Sequence, residues 1–504
     1  MKMRAFAICL AMLLCAAAAH AHVGSPDVYA DGQAGPYKLS VVIRPPLVIP
    51  GIADIDVRTA TPGVDRIMIT PVPLTGEASL HPPAPDAMQR PTNDAQFFTG
   101  HLWIMATGSW QIRFAVNGAQ GSGTLSIPVP ATALGTRPMT SGMGIMLACL
   151  GALLVLGMVG IVGAAAREAK LPPGAPVPQA NRRSAYIAMT VTFAVLVAGV
   201  VLGNTWWKSQ AASYSANIYK PLQMDTALVH GSLLELKLRD PGWLPQRKLD
   251  DLIADHDHLM HLYMIRWPDM DVVAHLHPQL IGAGEFQLAL PSIPAGTYHL
   301  YADVVHASGF PETLVSTITL PAISGRPLAG DDAEGAAAPV RHSAAVDTSK
   351  EQRFKLPDGY TMMWTNAGVI TPRAPVNFRF ELLDPQGHPP QDMALYMGMT
   401  GHAAFVKTDG ATFAHIHPTG SVSMAAFMMA NPQAQMKATG MDMQNMSGTN
   451  MKPMNMKMDS AIPNTVGFPY GLPSEGTYRI FVQMKHGNTV ETGIFDAKAG
   501  NPTA

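Results

Sequence analysis

The chain has 504 residues, 47% of them hydrophobic and 14% charged, with a formal net charge of -2. That length predicts several domains rather than one core, and the near-neutral balance without basic runs excludes nucleic acid as a partner. Cys9, Cys15 and Cys149 all fall in apolar stretches, which excludes a disulfide framework and a cysteine-built zinc site.

Residues 1–21 carry Lys2 and Arg4, then an apolar core over 5–19, then Ala19-His20-Ala21, the pattern of a secretory signal peptide. Leu13 and Leu14 precede Cys15 where a lipoprotein signal needs a small residue. Cleavage after Ala21 makes His22 the first residue, and its α-amino and imidazole nitrogens then form a chelate suited to copper. Residues 22–137 hold strand-length apolar runs at 39–43, 53–57, 66–70, 110–114 and 123–127, separated by Pro and Gly. This spacing predicts an Ig-like antiparallel β-sandwich. An amino-terminal histidine on a sandwich resembles the small periplasmic CopC-type copper-resistance proteins. That resemblance implies copper at His22; His81 and His101 are the other imidazoles of this domain.

Two transmembrane helices are predicted at 141–166 and 185–205, each long enough for the roughly 20 apolar residues that cross a bilayer of about 30 Å. The loop 167–184 contains Arg167, Lys170, Arg182 and Arg183 against a single acid, Glu168, and so should be cytoplasmic. Trp206 and Trp207 suit the opposite interface. Both soluble parts are therefore expected in the periplasm of a bacterium, anchored to the inner membrane.

After a stalk at 206–227 the chain repeats itself. Repeat one (228–322) carries His256, His258 and His261, then Ala274-His275-Leu276-His277-Pro278, then Gly296-Thr297-Tyr298 with His306 ten residues after the glycine. Past a linker at 323–354, repeat two (355–498) carries Met397, Met399 and His402, then Ala414-His415-Ile416-His417-Pro418, then Gly476-Thr477-Tyr478 with His486. Alternate residues of a strand share a face about 7 Å apart, so His275 and His277 point one way, as do His415 and His417. Imidazole and thioether donors suit copper far better than magnesium or calcium. Imidazoles alone in repeat one favour Cu(II) or a mixed state, and Met397 with Met399 in repeat two favour Cu(I). Repeat two also holds an insertion over 424–458. Its later part sets Met441, Met443, Met446, Met451, Met454, Met456 and Met458 among polar residues, a composition for soft-ion capture, Cu(I) or Ag(I), rather than for a core.

Both repeats resemble the YtkA-like, FixH-related β-sandwich domains of exported proteins in bacterial heavy-metal operons, on the strength of the His/Met segment and the Ala-His-x-His-Pro turn. The resemblance implies exported metal handling without a defined reaction. The expected fold is thus mainly β: three Ig-like antiparallel sandwiches plus two transmembrane helices. The expected function is a non-enzymatic, membrane-anchored copper-binding protein that buffers copper or passes it to an efflux or oxidase-assembly partner. Two other readings stay open, a copper oxygenase or oxidase built on His22 and a sandwich protein of adhesion or assembly with incidental histidines.

Overall fold

The structure, a computed structural model, describes residues 26–243, 247–340, 351–432 and 461–500. His22, the signal segment and the seven methionines from Met441 to Met458 lie outside the described residues. The chain is mainly β, with two long helices, and divides into two compact units. One comprises Met1–Thr132 with Lys220–Ala504, the other Ala133–Tyr219.

In the smaller unit the helices Ser141–Glu168 and Gln179–Ala216 are long and apolar enough to cross a membrane. They approach closely at Gly163, where an added Cβ would lie 2.6 Å from the sulfur of Met189. The second helix runs well beyond the predicted span, so the first half of the expected stalk is helical. A helix persists there because Trp206 through Ala216 contains neither proline nor glycine.

The larger unit contains three β-sandwiches. In the first, the sheet Val28–Ala34, Tyr37–Arg44, Gly51–Thr59, Phe97–Ile104 faces a second one of Asp86–Ala87, Val64–Pro73, Gly108–Gly118 and Gly121–Ala131. The strand Gly51–Thr59 shows why: Ala53, Ile55 and Val57 are fully buried, while Asp54 and Asp56 alternate outward. All five sequence-predicted runs are strands.

Repeat one pairs the sheet Gln279–Gly282, Glu285–Ala289, Leu233–Arg239, Gln223–Val229 with a larger one. The larger sheet orders Leu252–Ile253, Gly296–His306, His261–Trp267, Val272–Leu276 and Ala333–Ala336, with Pro311–Leu320 also paired to Gly296–His306. Repeat two is built alike, from Gln352–Lys355, Thr361–Trp364, Val376–Leu383, Thr465–Tyr470 against Met393–Ala394, Gly476–His486, His402–Lys407, Phe413–Ile416, with Thr489–Ala499 paired to Gly476–His486. The expected linker is therefore partly sheet. Ala333–Ala336 extends repeat one, pairing Ala333 with His275, and Gln352–Lys355 opens repeat two.

In both larger sheets the central strands are buried on both faces. Leu262, Met264 and Leu300 fill repeat one's own core, and Phe405, Ile480 and Val482 fill that of repeat two. The opposite faces meet each other. Tyr263, Ile265, Val273 and Tyr301 of repeat one pack on Ala404, Val406, Phe413 and Phe481 of repeat two in a separate apolar cluster. Within it the rings of Tyr301 and Phe413 stack at 4.3 Å. Each large side chain so buried contributes about 1.5–3 kcal/mol, enough to hold the two repeats as one body.

The first sandwich docks on repeat two immediately after His417-Pro418. The Asp31 amide donates to the Thr419 carbonyl at 2.9 Å and the Ser421 amide to that of Tyr29 at 2.8 Å. Gly420 is required there, because a Cβ would come within 2.0 Å of the Tyr29 carbonyl oxygen. Arg373 grips the buried Asp27 through both carboxylate oxygens.

Candidate metal centre

The segment before each central strand forms the same tight loop. Asp255 and His258 exchange backbone hydrogen bonds at 2.9 and 3.0 Å, and Tyr396 and Met399 do so at 2.8 and 3.0 Å. His256 and Met397 occupy the same left-handed conformation, with φ of 51° and 50°. His256 thus corresponds to Met397, His258 to Met399 and His261 to His402, as the sequence alignment predicts.

Strand parity then selects the face. His261 lies opposite Asp303 and His275 opposite Tyr263, on the face that meets repeat two. His402 lies opposite Gln483 and His415 opposite Ala404, on the face that meets repeat one. Eight imidazoles converge at one end of the shared apolar cluster. His258 stacks on His277 at 3.9 Å, and the rings of His261, His275 and His277 lie 4.8–5.4 Å apart. His415 bridges to the second group, 5.4 Å from His261 and 4.7 Å from His417. His256 crosses over from repeat one, 4.9 Å from both His402 and His417. Two triads have ligand nitrogens within 4.8 Å of one another: His261, His275 and His277, and His256, His402 and His417.

Several imidazole nitrogens are left free to ligate. His261 Nε2 donates to the Asp255 carbonyl at 2.9 Å, so its Nδ1 carries a lone pair. His275 Nδ1 pairs with Gln483 Oε1 at 2.8 Å and with the Tyr396 hydroxyl at 3.3 Å, which leaves its Nε2 to face His261. His261 Nδ1 and His275 Nε2 face each other at 3.2 Å. That distance matches the separation of about 3.3 Å between nitrogens on a tetrahedral ion with bonds of about 2.0 Å. His277 Nδ1 pairs with Asp332 at 3.2 Å, His415 Nδ1 with Asp303 at 3.2 Å, and His417 Nδ1 with the Val422 carbonyl at 3.1 Å. Their Nε2 atoms, that of His256 and both nitrogens of His402 are buried without a hydrogen-bond partner. An unmet buried polar atom costs about 1–3 kcal/mol, and a ring held by an acceptor on one nitrogen and bare on the other is the usual form of a metal-ligating histidine.

The electrostatics agree. Burial, then the neighbouring imidazoles, holds His275, His402 and His415 well below the ordinary histidine range, and His261 likewise by burial and then His277. Burial, reinforced by His256, pushes His417 down to about 4. These rings are neutral near pH 7, as ligands must be. Burial raises Asp303 to about 7, against the hydrogen bond from Thr313.

Several expectations change. Whether the repeats share an arrangement or work apart is open from sequence; here His256 of repeat one joins His402 and His417 of repeat two in one triad. His306 and His486 are not in the cage: they share strand parity with Val304 and Met484, whose side chains point into each repeat's own core. His306 instead lies between Asp251 (2.7 Å) and Glu312 (3.0 Å), and His486 among Asp358, Asp392 and Glu491. Met397 and Met399 are buried in the loop that matches the His256 loop. The start of the methionine-rich insertion is a helix, Met424–Ala430, where Met429 packs on a cluster of Leu74, Ala426 and Ala430 as core rather than as ligand. In the first sandwich His101 is engaged with Asp54 at 2.8 Å and His81 with Glu77 at 3.5 Å, both exposed. Sequence reasoning missed Gln483, Asp303 and Asp332. The first two occupy one repeat position, seven residues after Gly476 and Gly296, so aligning the copies would have found them. Asp332 lay in the supposed linker and gave no signal.

Residues 354–501 match the model of a domain of unknown function, DUF8832, which coincides with repeat two. No curated protein matches the sequence. Among solved structures, a tetra-tandem repeat from the extending region of a large adhesion protein is 7% identical, with 90% of this chain and 97% of that one covered at a TM-score of 0.16. Salmonella alpha-2-macroglobulin reacted with methylamine is 8% identical at a TM-score of 0.20; 94% of this chain is covered, which spans 24% of that protein. An ICAM-5 D1–D4 ectodomain fragment is 8% identical, with 92% and 77% covered and a TM-score of 0.15. At such scores these likenesses bear on neither the fold nor the function.

Proposed function

We propose that this chain is a membrane-anchored, exported copper-binding protein whose two repeats jointly hold copper in one interdomain histidine cage, to buffer the metal or pass it on. The observation that carries the reading is the buried convergence of His261 Nδ1 and His275 Nε2, 3.2 Å apart, beside further imidazole nitrogens that have no hydrogen-bond partner. The ligand set is nitrogen-rich, with thioethers in the matching loop of repeat two, and so favours copper over hard cations. Neighbouring triads linked through His415 would let an ion step between sites. His22 and the methionines from Met441 to Met458 would act as outer capture points for Cu(II) and for Cu(I) or Ag(I). The basic connector between the helices supports a cytoplasmic loop, an inner-membrane anchor and periplasmic sandwiches. An efflux pump or an oxidase-assembly factor is the kind of partner that would receive the ion.

The test is metal loading of the full chain in detergent with Cu(I), Cu(II), Ag(I) and Zn(II), followed by stoichiometry and X-ray absorption. Tight copper retention with nitrogen scattering at about 2.0 Å is expected. Retention unchanged in the His402→Leu/His417→Leu double variant would overturn the cage. Labelling of single cysteines introduced at 175 and 330, from either side of the membrane, checks the orientation.

A further inference from the structure

The C-terminal ends of the strands Gly296–His306 and Gly476–His486 hold a second shared arrangement, and the copies differ there in one decisive way. In repeat one Glu312 lies opposite Val304 in the ladder, and in repeat two Glu491 lies opposite Met484, each two residues before the histidine. The Ala307 amide donates to the Asp251 carbonyl at 2.6 Å, and the Gly487 amide to that of Asp392 at 2.7 Å. His306, Asp251 and Glu312 therefore correspond to His486, Asp392 and Glu491. In repeat one a cation fills this pocket. The guanidinium of Arg247, its side chain 3% exposed, donates to Glu312 at 2.9 Å and also to Asp240.

Among the described residues, repeat two places no arginine against this histidine and glutamate. The loop after Asp384 is three residues shorter than the one after Asp240, and Asp358 enters instead, adding a negative group where repeat one has a positive one. Asp358 Oδ2 lies 3.5 Å and Glu491 Oε1 3.3 Å from His486 Nε2, with Asp392 Oδ2 3.5 Å from Nδ1. Ligand atoms of Asp358, His486 and Glu491 all fall within 4.8 Å of one another. Among the described residues, His486 is the one basic side chain in ion-pair contact with these three carboxylates. Tyr360 closes one side by stacking on the imidazole at 4.0 Å. Burial, then Asp358, raises Glu491 to about 7, the behaviour of a carboxylate crowded by another with too little positive charge nearby.

We infer that Asp358, His486 and Glu491 bind a divalent cation that replaces the guanidinium of repeat one. One imidazole with two carboxylates is the donor set of Zn(II) or Mn(II) and disfavours Cu(I). The site lies on the opposite face of the sheet from the cage and stands independently of the copper reading. It would brace the sheet end of repeat two as Arg247 braces that of repeat one.

Zn(II) titration by calorimetry, Mn(II) titration by electron paramagnetic resonance and Tm measurements on the full chain provide the test. The variants are Glu491→Gln, Asp358→Arg and, as a cage control, His417→Gln. The wild type should gain Tm with Mn(II) or Zn(II). Glu491→Gln should bind one divalent equivalent about a hundredfold more weakly while Cu(I) stoichiometry is unchanged. Asp358→Arg restores the charge pattern of repeat one, so it should lose the divalent response yet keep an apo Tm at or above that of wild type. His417→Gln should retain the divalent equivalent. Unchanged Zn(II) and Mn(II) binding in the first two variants, or loss in His417→Gln alone, would overturn the site.

Discussion

Repeat one and repeat two present His261 and His402, His275 and His415, His277 and His417 at the same register positions, yet surround them differently. Repeat one's imidazole His275 is held by Gln483 of repeat two, and repeat two's His415 by Asp303 of repeat one. Those partners are themselves equivalent, since Asp303 lies opposite His261 and Gln483 opposite His402. The interface therefore has approximate two-fold symmetry, in which each copy orients the other's central ligand. Two of the differences change the side chains most: the loop where His256 and His258 correspond to Met397 and Met399, and the strand end where Asp358 takes the place of Arg247. The two copies share one scaffold, and substitution at its edges changes the softness and charge of the side chains it presents.

The largest expected effect comes from removing a ligand that has no other role. His402 makes no hydrogen bond through either nitrogen, so His402→Leu should weaken copper binding by on the order of a thousandfold, about 4 kcal/mol. It should also raise apo stability by about 1–3 kcal/mol, because two unmet buried nitrogens disappear. Competition with a chelator and urea unfolding measure the two halves, and a fall in both would show His402 to be structural.

Acid should act next most strongly. The folded-state value of about 4 for His417 lies below its unfolded value near 6.5, so the unfolded chain takes up the proton first. Stability of the apo form is then full above pH 6.5 and declines as pH falls towards 4, by about 3 kcal/mol for this residue alone. Bound copper should steepen the loss, because protons compete for the same nitrogens. Urea midpoints that stay flat from pH 7 to 4.5 would contradict neutral, buried imidazoles.

The two-fold exchange of orienting groups can be tested on both sides. Gln483→Leu and Asp303→Asn should each reduce affinity by about 10–100-fold, the first disturbing the triad of repeat one and the second the bridging His415. Equal effects would indicate a single coupled site. The smallest change expected is in preference: Met397→His makes repeat two resemble repeat one and should move the ratio of Cu(I) to Cu(II) affinity by about tenfold towards Cu(II), read by redox titration.

Much of this was legible in the chain itself. The spacing of apolar runs predicted the sandwiches, and two uncharged stretches predicted the long helices. Period-two geometry put His275 with His277 and His415 with His417 on common faces, because neighbouring positions of a strand must point oppositely. Local pattern could not say which face of each sheet would be covered, or by what. That was decided by the packing of the two repeats through Tyr263, Tyr301, Phe413 and Phe481, a set of contacts far apart in sequence. The same packing carried His256 into its neighbour's triad and left His306 and His486 on the opposite faces. It also brought Asp332 from an apparent linker to His277. Residue type and strand period determined the candidate donors and their local direction, whereas only tertiary structure decided which of them meet, since burial between two sheets depends on long-range register that no short segment encodes.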